Sequence, residues 1–302
     1  MKKVFLLILL FFIANESFGQ ANLLNAKNPS EIGDSSESKA VSEFVDYEYV
    51  DDKDILWSKV VYEFIDLNER LNFPLLFPVN DTKYDDTRKS LWRVIKESIE
   101  NGKISEVYDS NNDNFTEASR IIGKDSTDLE ANIYKNYNIT DIYKSKYVPE
   151  SFVPREVASS ADIFGYVIKG IWYFDKIHAE LRYRLLAIQP YGTDLKTSVD
   201  GEETETGYFW IWYPSIREIL DDHLVFNDKN NNNRVSFDEL LINRRFSSYI
   251  YKYDNVYGDR EIRDYIRQRD NESYAQWQTR IVMESERIKK EILDFEIDMW
   301  GY

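Results

Sequence analysis

IFGYVIKGIWYFDKIHAELRYRLLAI, residues 163–188, decides the fold. Its first half is dense in aromatic and β-branched side chains, which suit a pleated surface. Its second half alternates. Ala179, Leu181, Tyr183 and Leu185 fall on one side, and Glu180, Arg182 and Arg184 on the other. Apolar and charged residues in period two mark a half-buried antiparallel strand. FDKI joins the halves so tightly that the pair reads as a hairpin. Beyond a long polar loop, GYFWIWYP (207–214) reads as a third, aromatic strand. Three strands form a viable sheet when helices cover one face.

The flanking sequence supplies those helices. In DILWSKVVYEFIDLNERL (54–71), Trp57, Val60, Val61, Phe64 and Ile65 recur at helical spacing, with Asp54 as the expected N-cap. NFPLLFP (72–78) follows, and Pro74 and Pro78 predict an extended apolar connector. TRKSLWRVIKESIENG (87–102) is a helix burying Leu91, Val94, Ile95, Ser98 and Ile99, stopped by Asn101-Gly102. ISEVYD (104–109) suggests a short strand. Residues 109–150 are polar and carry no sustained period. SIREILDDHL (215–224) and SFDELLINRRFSSYIYKY (236–253) both read as helices. The stretch 271–300 reads as a long one, with Tyr274, Ile281, Ile288 and Phe295 seven apart. Gln278 and Ser285 interrupt the companion positions. This helix can dock on its own sheet or pack on a partner subunit. The expected class is α+β: a small antiparallel sheet, made of the hairpin plus a third strand, packed with several helices and a long C-terminal helix.

MKKVFLLILLFFIANESFGQ opens the chain with two lysines, a short apolar run and small residues at 17 and 19. It reads as a secretory signal over 1–19, because the run is too short to span a bilayer. Residues 20–50 read as a flexible acidic leader and 51–302 as a single domain. There are 38 Lys and Arg against 54 Asp and Glu, a net charge of −16. That field repels a phosphate backbone and an anionic membrane surface. The chain has no cysteine, which excludes disulfides, thiol nucleophiles and an acylated N-terminal cysteine. The expected location is the periplasm, with any membrane association supplied by a partner.

Signatures of chemistry are scarce. The two histidines, His178 and His223, stand apart, and no phosphate loop, dinucleotide fingerprint, nucleophile elbow or zinc motif occurs. No catalytic residue, cofactor or metal site is expected. DKNNNNRVSFDE (228–239) has calcium-loop spacing at Asp228, Asn230, Asn232 and Glu239, but Asn233 stands where the turn glycine belongs. A helix-capping box at Ser236 and Glu239 accounts for the same residues without an ion. Aromatic strands and many carboxylates leave a secreted carbohydrate-binding or carbohydrate-cleaving protein as an alternative. With 22 tyrosines and 7 tryptophans the chain also suits large interfaces. SSYIYKYDNVYGDR (247–260) is the expected partner-binding surface, carried by Tyr249, Tyr251, Tyr253, Tyr257, Arg260 and Arg263 around Lys252. The competing reading makes these tyrosines caps of the core.

One resemblance ties these pieces together. DILWSKVVYEFIDLNERLNFPLLFP (54–78) resembles the N-terminal signature of the gliding-motility N protein family, GldN, called PorN in non-gliding species. RKSLWRVIKESIENGKISEVYD, FGYVIKGIWYFDK, LRYRLLAIQP, FWIWYPSIREIL and RRFSSYIYKYDNVYGDREIRDYI are similar to its later blocks, in the same order. The resemblance covers about residues 50–270. It implies a non-enzymatic periplasmic subunit of the type IX secretion system of Bacteroidota. Such a subunit would self-associate in a ring with an outer-membrane lipoprotein, the K subunit (GldK/PorK-like). The ring would meet the periplasmic part of the inner-membrane motor, the M subunit (GldM/PorM-like). The family supplies no catalytic residues.

Overall fold

In the computed structural model, residues 44–80, 88–122, 158–193, 205–226 and 235–300 are described. The expected signal, most of the leader and positions 228–234 of the calcium-like stretch lie outside them. The 163–188 hairpin forms as its alternation predicts. Strands β4 (Ile163–Asp175) and β5 (Glu180–Thr193) pair antiparallel, and Asp175 faces Glu180 across the turn. Ala179 takes a positive φ of 54° there, which closes the turn.

The sheet is larger than expected. Among the described residues it has eight strands, in the order β3-β2-β7-β5-β4-β1-β8, with β6 pairing with β5. The others are β1 (Ile55–Asp66), β2 (Glu106–Asp109), β3 (Arg120–Ile122), β6 (Glu205–Gly207), β7 (Phe209–Trp212) and β8 (Tyr249–Tyr253). All pairings are antiparallel. The helices are α1 (Phe73–Leu76), α2 (Leu91–Glu100), α3 (Arg217–Asp221), α4 (Phe237–Ile242), α5 (Ile262–Tyr265) and α6 (Tyr274–Trp300). The chain is α+β.

Two expected helices are corrected. Residues 55–66 form strand β1, held between β4 and β8. Both faces of β1 are covered: Val61, Glu63 and Ile65 are buried on one side and Tyr62 on the other. Two-sided burial erases alternation, and the surviving apolar residues mimic a helical period. Asp51, not Asp54, acts as an N-cap, for a short 3-10 turn at Asp52–Asp54. In 236–253, α4 ends at Ile242 and the tyrosine run becomes β8. The expected extended connector instead holds α1, with Pro74 in its first turn, where a missing N–H costs nothing.

Helix α2 matches the sequence reading. Ser90 caps it by accepting from the Arg93 amide, and Gly102 has φ 70° just past its end. Helices α2, α3 and α4 cover one end of the sheet's inner face, where Trp92, Tyr166, Phe209, Phe237 and their neighbours form the main core. Helix α6 covers the other end: Ile281, Ile288 and Ile292 pack with Val61 and Ile250, and Phe295 stacks on Trp57 at 4.6 Å. Of the two readings of α6, docking on its own sheet holds. Ordered packing starts before residue 51. The Tyr47 hydroxyl donates to the Leu185 carbonyl, and Arg217 donates to the Val45 carbonyl at 2.7 Å.

Candidate functional site: an aromatic groove on the outer sheet face

The outer face of the sheet is not covered by the α2–α4 layer. Alternation places Tyr62, Val167, Ala187 and Trp210 on it as a buried floor. Phe64, Tyr191 and Tyr251 pack on this floor. Beyond the β8 edge, α5 and the first turns of α6 rise beside it and enclose an open groove of about 780 Å3. On the sheet side, Phe64 packs edge-on against Tyr191 at 5.5 Å and tilted against Tyr249 at 5.6 Å. Tyr251 packs on Tyr62 at 6.3 Å. On the helix side stand Tyr274 and Trp277, 5.6 Å apart.

A β-bulge shapes this wall. The register between β1 and β8 shifts between Tyr62 and Glu63, so Ile250 faces Glu63 and Lys252 faces Tyr62. The extra residue, Tyr251, is thereby turned to the same face as Lys252. Lys252 sits 4.4 Å over the Tyr62 ring and bridges Asp113 at 2.8 Å. Lys169 lies 5.1 Å over the same ring and donates to the Asp113 carbonyl. Burial lowers the Lys169 ammonium's pKa, and the Lys252 charge adds to that. Burial alone would push the Asp113 carboxyl up, but hydrogen bonds from Lys252 and Tyr62 outweigh it and hold it down. The Tyr62 hydroxyl is pushed up, first by burial and then by Asp113. This is a charge-locked wall, with each ion answered by a neighbour.

The expected partner-binding residues divide. Tyr249, Tyr251 and Arg263 line the groove together with Lys252. Tyr257 is exposed and stacks on Tyr265 at 5.1 Å, and Arg260 is exposed beside it. Tyr253 is buried on the opposite face, under Lys59. The tyrosine run is therefore split: Tyr253 caps the core, while Tyr249 and Tyr251 line the groove and Tyr257 stands exposed. The sequence reading missed Phe64, Tyr191 and Trp277, which come from three distant segments.

Other candidates have structural roles. The ring of His178 hydrogen-bonds Asp175 within the hairpin turn, and that bond is the main reason the Asp175 carboxyl lies low. His223 is held below its ordinary value by burial and by the Lys89 charge. In the described part of the calcium-like stretch, Ser236 accepts from the Glu239 amide at 3.0 Å. The Glu239 carboxylate turns to Arg245 at 3.2 Å rather than back to the cap. Among the described residues no group of three or more His, Cys, Asp or Glu is placed to hold a metal, and no helix is long and apolar enough to cross a membrane.

The family model for gliding motility associated protein GldN matches residues 50–301. The chain belongs to the GldN family. The match spans every strand and helix described above. GldN proteins are components of the gliding-motility and type IX secretion machinery and are not a known enzyme family. No curated protein matches the chain.

Proposed function

We propose that the chain is a non-enzymatic structural subunit of the type IX secretion machinery, placed in the periplasm. In this reading it self-associates in a ring with the outer-membrane K lipoprotein and meets the periplasmic part of the M motor subunit. The single observation that carries the reading is family membership over residues 50–301. The surface supports it: Tyr257, Arg260 and Arg263 form an exposed aromatic and basic corner beside the groove mouth at Tyr249 and Tyr251, with Tyr253 anchoring the strand from below. Tyrosine and arginine at such a corner are the residue types that anchor interfaces.

The test is co-expression with the K lipoprotein, affinity purification through either chain, and negative-stain microscopy. The expected result is a stable co-complex that forms rings. A well-behaved monomer that ignores the lipoprotein overturns the reading.

A further inference from the structure

We propose that the outer-face groove docks an extended, proline-rich peptide segment that carries a basic side chain. The inference deepens the assembly reading and rests on it only for the source of the peptide, a partner subunit.

The groove's geometry selects among peptide shapes. A partner strand would need a long free sheet edge, but β6 offers only three residues and α6 occupies the edge of β8. The Ile250 amide donates to Ser285 Oγ of α6 at 2.8 Å, and Lys289 of α6 donates to the Ser248 carbonyl at 2.8 Å. An amphipathic helix needs an apolar trough, but Ser110, Asn111, Thr206, Glu205 and Gln278 interrupt this lining. A polyproline II segment needs aromatic walls for its rings and donors for its carbonyls, since it makes no internal hydrogen bonds. The groove supplies both. Aromatic rings stand on the sheet side and the helix side, and the hydroxyls of Tyr191, Tyr249 and Tyr251 make no hydrogen bond among the described residues.

Charge selects the flanking residue. Asp113 is paired with Lys252, and Glu261 with Arg263 at 2.5 Å. Glu205, also in the lining, has no ion pair among the described residues. A carboxylate without an ion pair among the described residues, on a chain of net charge −16, favours a cationic ligand. A polysaccharide fits less well. Sugar hydroxyls are best met by planar amides and carboxylates, and most of those here are already engaged, Gln189 with the Ser110 carbonyl and Gln278 with the Tyr274 hydroxyl.

The experiment is selection of a random short-peptide phage library on the full chain, run in parallel on Tyr251→Ala, Tyr249→Ala and Glu205→Gln. Enriched sequences should carry prolines three apart, the polyproline II repeat, with a neighbouring Lys or Arg. Synthetic peptides from that set should bind Tyr251→Ala roughly tenfold more weakly. Glu205→Gln should weaken only the peptides with the basic residue. Tyr251→Phe keeps the ring on Tyr62 and removes only the hydroxyl. It should retain the wild-type melting temperature and still lose affinity, which separates docking from folding. Enrichment without proline, no enrichment, or equal binding by the variants overturns the proposal. So does tryptophan quenching by glucan or chitin oligosaccharides without peptide enrichment. No peptide binding by the wild-type chain, with an intact lipoprotein co-complex, defeats the groove proposal alone. A lost co-complex with retained peptide binding defeats the assembly reading alone.

Discussion

Glu63 is 1% exposed in the middle of β1, on the face that meets the core. Arg244 answers it with two hydrogen bonds, at 2.9 and 2.6 Å, and the Ser248 hydroxyl donates a third. The guanidinium itself lies 4.2 Å over the Tyr183 ring. A buried carboxylate is tolerable only while such partners remain. Arg244→Ala is therefore expected to cost about 3–5 kcal/mol in urea unfolding. The double change Glu63→Leu with Arg244→Met should recover most of that loss, because it removes both charges together. Acid stability follows from other carboxyls. Asp175 is held low by His178, and Glu284 by its hydrogen bond from Arg287. In Glu97 and Asp113, burial pushes up but bonds from lysine, arginine or tyrosine partners win. Each folded pKa lies below its unfolded value. Their stabilisation is thus complete above the unfolded range of about 4 and is lost as pH falls through the folded values. Asp254, raised by burial, opposes this in part. His223, held low by burial, gives up stability as pH falls below about 6.5, so the melting temperature should slip slightly from about pH 7 to about pH 5 and drop steeply below about pH 4, as read by circular dichroism.

Helix α6 shows how an element can be found from sequence while its purpose stays hidden. Its seven-residue spacing exposed the seam, and Ile281 and Ile288 are buried as that spacing requires. Ser285 looked like a flaw in the seam, yet it is fully buried and accepts the Ile250 amide. Ser285→Ala should cost about 1–3 kcal/mol, since it leaves a buried donor unpaired. Hydrogen exchange at the Ile250 amide should speed up in that variant while amides of the β4–β5 hairpin keep their protection. The hairpin was legible because one face of β5 carries Arg182 and Arg184 in partial contact with water. Strand β1 was not, because water touches neither of its faces evenly. Strand β8 was hidden by the helix signal of α4, which runs into it with only a short break at 243–248. Half of the groove was legible for a related reason. The tyrosine run announced itself within one segment, whereas Phe64, Tyr191 and Trp277 meet only through sheet order and the placement of α6.

At the scale of the whole molecule, a charge of −16 keeps copies apart unless specific contacts overcome it. The exposed corner at Tyr257 and Arg260 is the place to weaken such a contact without touching the core. The double variant Tyr257→Ala with Arg260→Ala should reduce co-purified lipoprotein severalfold and shift the melting temperature little, because surface changes usually alter stability by about 0.5 kcal/mol or less. The plugged edge of β8 bears on any assembly of this chain. Strand addition passed from copy to copy around a circle consumes two open sheet margins per subunit, one to give and one to receive. Here α6 stoppers the β8 margin, while β3 and the free side of the short β6 stay unpaired among the described residues. Any circle of these subunits that is built through the β8 side must be held there by side chains, and the same stopper removes one template for growth into a fibre.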